Sequence, residues 1–177
     1  LGLTMALGFS GCQSENQKNQ DAYRKIGINS MAEGDYDKAV KSFQKALDTS
    51  LGKIGAEEID ICYYKAAAQF AKKDYDGAIE TYTSLIDYDK ENANAYYLRG
   101  SVYLDTDKKD KAFKDYKNAV KYAGREYEIY EGIYENLTNK GETEEAKNYL
   151  KKALDIKPKD GADYAEQGHV YYLLEDY

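Results

Sequence analysis

Apolar residues recur three and four positions apart along most of the chain, which is the spacing of one face of an α-helix. In the stretch "GDYDKAVKSFQKALD", these positions are Ala39, Phe43, Ala46 and Leu47. Polar junctions such as "EGDYD" and "NKGET" interrupt the pattern. Each supplies a glycine suited to a helix end, then an acid or threonine suited to the next helix start. The pattern therefore predicts an all-α fold of antiparallel helix pairs, in which Gly27 and Ala39 allow close approach.

The helical segments repeat along the sequence. Four segments align without gaps, at residues 34–48, 73–87, 107–121 and 141–155. Their shared alanines, Ala39, Ala78, Ala112 and Ala146, are 39, 34 and 34 residues apart. A second recurring block precedes each segment, with small residues at Gly27, Ala66, Gly100 and Gly168. The period is thus 34 residues with one insertion of five. The insertion, in "TSLGKIGAEEID", predicts either a longer loop or a helix that starts early at Ala56.

This repeat resembles the tetratricopeptide repeat. The family's aromatic, glycine and alanine positions are matched by "YRKIGINS" with Ala39, Phe43 and Ala46, and Pro158 closes the fourth copy. The resemblance covers residues 21–177 and implies a helical-hairpin solenoid wound as a right-handed superhelix. The repeats lie at about 20–53, 59–92, 93–126 and 127–160, with a partial copy at 161–177.

Two residues depart from the family pattern. Cys62 replaces an early aromatic residue, and we expect it to be a small buried hydrophobe. Tyr134 stands where a small residue is usual, so we expect the fourth repeat to pack with altered geometry.

Tyr177 stands where a second helix would begin, and we expect the natural protein to continue beyond it.

The first twenty residues have a different character from the repeats. Residues 1–11 are apolar or small, as in the hydrophobic region of a truncated secretory signal. The stretch "FSGC" resembles the bacterial lipobox, which implies that Cys12 is lipidated and that residues 12–20 form a flexible polar tether. The resemblance implies a lipid-anchored protein on the extracytoplasmic side of a bacterial cell membrane. The alternative is an apolar first helix with a buried thiol.

Composition narrows the range of functions. A net charge of −7 argues against nucleic acid as a partner, because phosphate binding needs a basic surface. The chain has one histidine, His169, and two cysteines, with no glycine-rich phosphate loop and no metal-ligand spacing. We therefore predict no catalytic residues, no cofactor and no metal site.

The family resemblance implies that the first helices of the repeats line a concave groove for a peptide or partner helix. The inward-facing positions are Arg24, Ile28, Met31, Tyr63, Ala67, Phe70, Tyr97, Ser101, Leu104, Glu131, Glu135, Thr138, Ala165, His169 and Tyr172. The candidate contact residues are Arg24, Tyr63, Phe70, Tyr97, Leu104 and Glu131. The groove is predicted to be apolar and aromatic over three repeats and acidic at the fourth. Alternatively, its tyrosines pack between adjacent repeats.

The first hypothesis is a non-enzymatic scaffold that binds protein partners at the cell envelope. The second is a carbohydrate-capture lipoprotein, because exposed tyrosines can stack on sugar rings. The third is the regulatory arm of an enzyme domain lying beyond Tyr177.

Overall fold

A computed structural model describes residues 15–50, 52 and 54–175, and within these ranges the ordered elements are all helical. They are α1 (Glu15–Ala32), α2 (Tyr36–Asp48), α3 (Ala56–Ala71), α4 (Tyr75–Tyr88), α5 (Ala93–Asp105), α6 (Lys109–Tyr122), α7 (Tyr127–Asn139), α8 (Thr143–Lys151) and α9 (Gly161–Glu175). A short 3-10 helix, Lys152–Asp155, follows α8. The all-α prediction is confirmed, and α3 starts at Ala56 as the second reading of the insertion expected.

The turns between helices repeat with the period of the sequence. In the turn between the two helices of each repeat, one residue takes a left-handed conformation: Gly34, Lys73, Asp107 and Gly141, with φ of 76°, 67°, 57° and 79°. At each turn the next backbone N–H donates to a carbonyl five residues earlier, as from Asp35 to Ser30 at 2.8 Å. This is the hydrogen bond of a Schellman helix end. The expected glycine turns are confirmed at Gly34 and Gly141, and the other two turns adopt the same geometry without glycine.

Side-chain caps fix several helix starts. The carboxylate of Asp35 accepts from the Lys38 N–H at 3.0 Å, and that of Asp74 accepts from the Gly77 N–H at 3.1 Å. Each cap satisfies a backbone donor that has no partner inside its helix. The short turns reverse the chain sharply, so that α1 packs on α2, α5 on α6 and α7 on α8. Helices α6 and α8 begin without a side-chain cap, so the turn alone sets the reversal there.

The chain divides into two compact units, residues 1–68 and 69–177. In the first unit Phe43 is 0% exposed and stacks on Tyr64, with ring centroids 5.7 Å apart. A Cβ added at Gly27 would lie 2.5 Å from Phe43 Cε1, so the phenyl ring occupies the space that this glycine leaves. The predicted close approach at Gly27 is therefore confirmed.

The second unit has its own core between α5 and α9. Its fully buried side chains include Tyr116, Ile133, Leu137, Leu150 and Val170. A Cβ added at Gly100 would lie 2.8 Å from Tyr116 Cδ1, the same relation that Gly27 has to Phe43. The repeat pattern thus reproduces one small-against-aromatic contact in both units.

Two local expectations need correction. The stretch predicted as a flexible tether, residues 12–20, is helical from Glu15 onward, and the buried Gln20 amide donates to Glu58 Oε1 at 2.8 Å. Its polar composition was misleading because one of these polar side chains, Gln20, is itself buried and hydrogen-bonded to α3. Cys62 is only partly buried, and its neighbour Ile61 takes the core position at 0% exposure.

The fourth repeat differs from its neighbours. Helix α8 is nine residues long and continues as the 3-10 turn, whereas α6 has 14 residues. Tyr134 is buried, and its hydroxyl donates to the Leu173 carbonyl at 3.3 Å. None of the described helices combines the length and apolar character needed to cross a membrane.

Candidate functional site

The first helices of the last three repeats line an open pocket of about 530 Å³, which we call the α5/α7/α9 pocket. Its lining includes Tyr97 from α5, Glu131, Glu135 and Thr138 from α7, and His169 from α9. All five are among the positions predicted to face inward. The structure therefore brings these predicted residues together within the second unit.

Tyr97 lines the pocket and packs against Gly132 of α7, where the missing side chain leaves room for the tyrosine ring. A Cβ added at Gly132 would contact the Tyr97 hydroxyl and lie 2.7 Å from Cζ. The Tyr97 ring centroid is 6.4 Å from that of buried Tyr116. Burial raises the pKa of the Tyr97 phenol, so its hydroxyl stays protonated and able to donate a hydrogen bond.

A network of polar side chains holds the helix backbone at Tyr97. Asn136 Nδ2 donates to Ser101 Oγ at 2.8 Å and to the Tyr116 hydroxyl at 3.4 Å. Ser101 Oγ in turn donates to the Tyr97 carbonyl at 2.9 Å. Together these bonds tie α5 to α6 and α7, and they hold the backbone that carries Tyr97 in place.

The walls of the pocket are acidic. Its described lining contains Glu128, Glu131 and Glu135, and it includes no lysine or arginine. His169 Nδ1 lies 2.8 Å from Glu131 Oε1, and the His169 ring stacks on Tyr172 with centroids 6.4 Å apart. Partial enclosure strengthens the field of the carboxylates, because less water screens them. The pocket is therefore suited to a cation.

Two other predicted contact residues are engaged elsewhere. Arg24 forms an ion pair with Asp60, and its guanidinium carbon lies 5.3 Å from the Tyr64 ring centroid. Phe70 packs edge-on against Tyr75 at 5.6 Å. These two side chains contribute to packing within their own units.

The remaining predicted contacts divide as follows. Tyr63 lies on α3 and is half-buried. Leu104 is 2% exposed within the core of the second unit, so it is a packing residue and not a groove contact. The predicted lipidation residue, Cys12, lies outside the described residues.

The sequence shows no metal-ligand spacing around His169, yet the structure places this residue against Glu131 and near Glu166. The spacing of Glu166 and His169, three residues apart on one helix, was readable as a pair on one face. The contact of Glu131 with His169 could not be predicted from the sequence, because it depends on how α7 packs against α9.

Comparisons with known proteins agree with the repeat architecture. A model described as "TPR repeat" matches residues 66–107, and two models described as "Tetratricopeptide repeat" match residues 24–82 and residues 93–125 with 135–160. No curated protein matches the sequence.

Several solved structures share the fold. A crystal structure of MamA is 26% identical, with a TM-score of 0.59 and coverage of 78% of each chain. MamA from Desulfovibrio magneticus RS-1 is 22% identical, with a TM-score of 0.60, covering 80% of this chain and 76% of that one. YrrB, titled a TPR protein with an unusual peptide-binding site, is 17% identical, with a TM-score of 0.55, covering 84% and 74%.

Proposed function

Because this chain is built from tetratricopeptide repeats, which generally bind protein or peptide partners, we propose that it is a non-enzymatic scaffold that binds a basic peptide or helix in the α5/α7/α9 pocket. The observation that carries the proposal is the pocket lining, in which three glutamates surround Tyr97 without a lysine or arginine among the described residues. A cationic partner would meet both negative charge and an aromatic surface.

The chemistry of the pocket supports a peptide partner. Tyr97 combines an apolar ring with a protonated hydroxyl, and it is held by Gly132 and Tyr116, so little side-chain entropy remains to be lost on binding. Glu128 and Glu135 are exposed at the pocket and can pair with lysine or arginine side chains. Exposed pairs of this kind speed association and select partner charge more than they add affinity.

Fluorescence anisotropy with a labelled lysine-rich amphipathic peptide tests this proposal, with a glutamate-rich peptide of equal length as the reference probe. We expect the lysine-rich peptide to bind preferentially and to bind more weakly as salt rises. The double variant Glu128→Lys/Glu135→Lys should weaken binding by about tenfold or more, which corresponds to about 1.4 kcal/mol.

The matched control is Glu144→Lys/Glu145→Lys, which makes the same charge change at exposed positions in the first turn of α8. It should leave peptide binding close to that of the parent chain. Equal losses in both double variants would show that only overall charge matters, and this result would contradict the pocket assignment.

We further propose that the scaffold is held at a bacterial membrane through lipid on Cys12. The support is the lipobox-like stretch "FSGC" after an apolar run, together with the polar sequence that follows. Metabolic labelling with a fatty-acid analogue tests this. We expect Cys12→Ala to abolish the label and Cys62→Ala to retain it, while label that persists in Cys12→Ala contradicts the anchor.

A further inference from the structure

Helix α9 carries Glu166 and His169 three residues apart, so both side chains project from the same face. Glu131 reaches this face from α7. One ligand atom from each of Glu131, Glu166 and His169 lies within 4.8 Å of the other two. We propose that these three residues form a binding site for a divalent transition-metal ion of the Zn²⁺ type, a site distinct in chemistry from peptide recognition.

The helices that carry the three residues are fixed against each other. The Tyr134 hydroxyl of α7 donates to the Leu173 carbonyl of α9 at 3.3 Å, and Arg125 pairs with Asp163 at the opposite end of α9. Gln167 Nε2 also donates to the Ile156 carbonyl at 2.6 Å. Because these contacts lie on both sides of residues 166–169, the backbone positions of the three donors are set before any ion arrives.

The donor set selects the class of ion. An imidazole nitrogen with two carboxylate oxygens suits Zn²⁺ and neighbouring first-row ions, whereas Mg²⁺ and Ca²⁺ prefer all-oxygen sites. Three protein ligands leave a position for water, which the open pocket can accommodate. Two carboxylates also balance the charge of a divalent ion, and the nearby Glu128 and Glu135 add negative potential.

The distances are compatible with coordination after small side-chain rotations. Tetrahedral Zn²⁺ with bonds of about 2.0–2.2 Å requires donor atoms about 3.3–3.6 Å apart. His169 Nδ1 and Glu131 Oε1 are 2.8 Å apart, and one ligand atom from each of the three residues lies within 4.8 Å of the other two. Rotation of glutamate side-chain torsions can close a gap of roughly 1 Å without moving either helix.

The alternative interpretation of the same geometry is an ion pair between His169 and Glu131, in which Glu166 has no role. Only a metal site predicts that added Zn²⁺ changes the environment of His169. This change can be measured because His169 is the only histidine of the chain. Its imidazole protons therefore give one assignable pair of signals in the proton NMR spectrum of the untagged, full-length chain.

The experiment titrates chelator-treated protein with ZnCl₂ and, separately, with MgCl₂ at constant pH and salt. We expect Zn²⁺ to shift or broaden the His169 signals and to saturate at one equivalent, with no response to Mg²⁺. Glu131→Gln and Glu166→Gln should each weaken Zn²⁺ binding at least about tenfold. The control Glu144→Gln, an equal charge change on exposed α8, should retain the affinity.

His169→Gln should abolish stoichiometric binding measured by calorimetry while the circular dichroism spectrum stays helical, because His169 is exposed. Zn²⁺ that binds without moving the His169 signals, for example at a thiol, overturns the proposal. Binding that is unchanged in Glu166→Gln also overturns it. Neither outcome bears on the peptide proposal, whose test uses Glu128 and Glu135 and leaves the three metal donors intact.

Discussion

At the scale of single residues, a partly buried ion pair in the second unit joins Arg99 to Asp115. The Arg99 guanidinium donates to both carboxylate oxygens, at 2.7 and 2.8 Å, and also to Thr83 Oγ1 at 2.9 Å. It lies over the rings of Tyr96 and Tyr103, at 5.7 and 5.9 Å. The side chains are 15% and 4% exposed, so water cannot replace a missing partner.

Removal of one partner of this pair should therefore be costly. We expect Asp115→Ala to lower the free energy of unfolding by about 3 kcal/mol, the lower end of the loss for a fully buried pair, because it leaves a guanidinium only 15% exposed without a counter-charge. Urea denaturation followed by circular dichroism measures the change. The control Asp87→Ala removes a pair with Lys90 whose side chains are both 67% exposed, and it should cost at most about 1 kcal/mol. Similar losses in the two variants would contradict this account.

A second residue-scale prediction concerns alkaline pH. Tyr116 is 0% exposed, and its burial raises the pKa of the phenol from 10.0 to about 12. Between these values the unfolded chain loses a proton that the folded chain keeps, so stability falls as pH rises. The stabilisation is fully present below pH 10 and is lost through pH 12, an effect of about 2–3 kcal/mol.

Tyr116→Phe has no phenolic proton, so its unfolding free energy should fall less between pH 10 and pH 12 than that of the parent chain. Near pH 7 the substitution should cost only about 0.5–1.5 kcal/mol, because the hydroxyl makes long hydrogen bonds. Urea melts at stepped pH measure both quantities. Tyr88→Phe, at a side chain 54% exposed, is the control and should keep the alkaline loss. An alkaline loss in Tyr116→Phe equal to that of the parent would refute the assignment.

At the scale of helices, equivalent glycines occupy different environments. A Cβ at Gly100 would lie 2.8 Å from two carbons of the fully buried Tyr116 ring, whereas a Cβ at Gly168 would meet nothing within 4 Å. We expect Gly100→Ala to destabilise the protein, since overpacking of about 1–3 kcal/mol exceeds the gain in helix propensity. Gly168→Ala should stabilise it by about 0.5–1 kcal/mol. Urea midpoints that move in the same direction would contradict the packing argument.

Helix pairing and turn chemistry were predictable because they depend on residues close together in sequence. Gly34 and Gly141 identified two turns, and the repeat period places Lys73 and Asp107 at the equivalent positions of the other two. Leu104 was assigned to the wrong environment because periodicity shows that a helix has an apolar face without showing what covers it. Here other residues of the second unit cover Leu104 and leave it 2% exposed.

At the scale of the molecule, several side-chain contacts between successive repeats join residues 36 to 39 positions apart. Examples are Arg24 with Asp60, Glu131 with His169, and Tyr134 with Leu173. The period of 34 residues predicted which helices are neighbours, so five pocket residues could be anticipated. The period did not predict which side chains meet. Each of these contacts spans a few more residues than one period, and this difference cannot be read from the repeat.

The same locality of contacts predicts how the molecule unfolds. Each of the two units buries its own core, with Phe43 at 0% exposure in the first and Leu150 at 0% in the second. In repeat proteins stability is nearly a sum of local terms, so a cavity weakens its own surroundings most. We expect Phe43→Ala and Leu150→Ala to cost about 3–5 and about 2–5 kcal/mol respectively in their own units.

Hydrogen exchange monitored by mass spectrometry can locate these losses. Phe43→Ala should accelerate exchange in peptides from α1 and α2 and leave α7 and α8 near their original rates. Leu150→Ala should give the reverse pattern, so each variant serves as the control for the other. Uniform acceleration in both variants would mean that the two cores unfold as one cooperative body. The opposed patterns are expected because Phe43 belongs to the hydrophobic core of the first unit and Leu150 to that of the second.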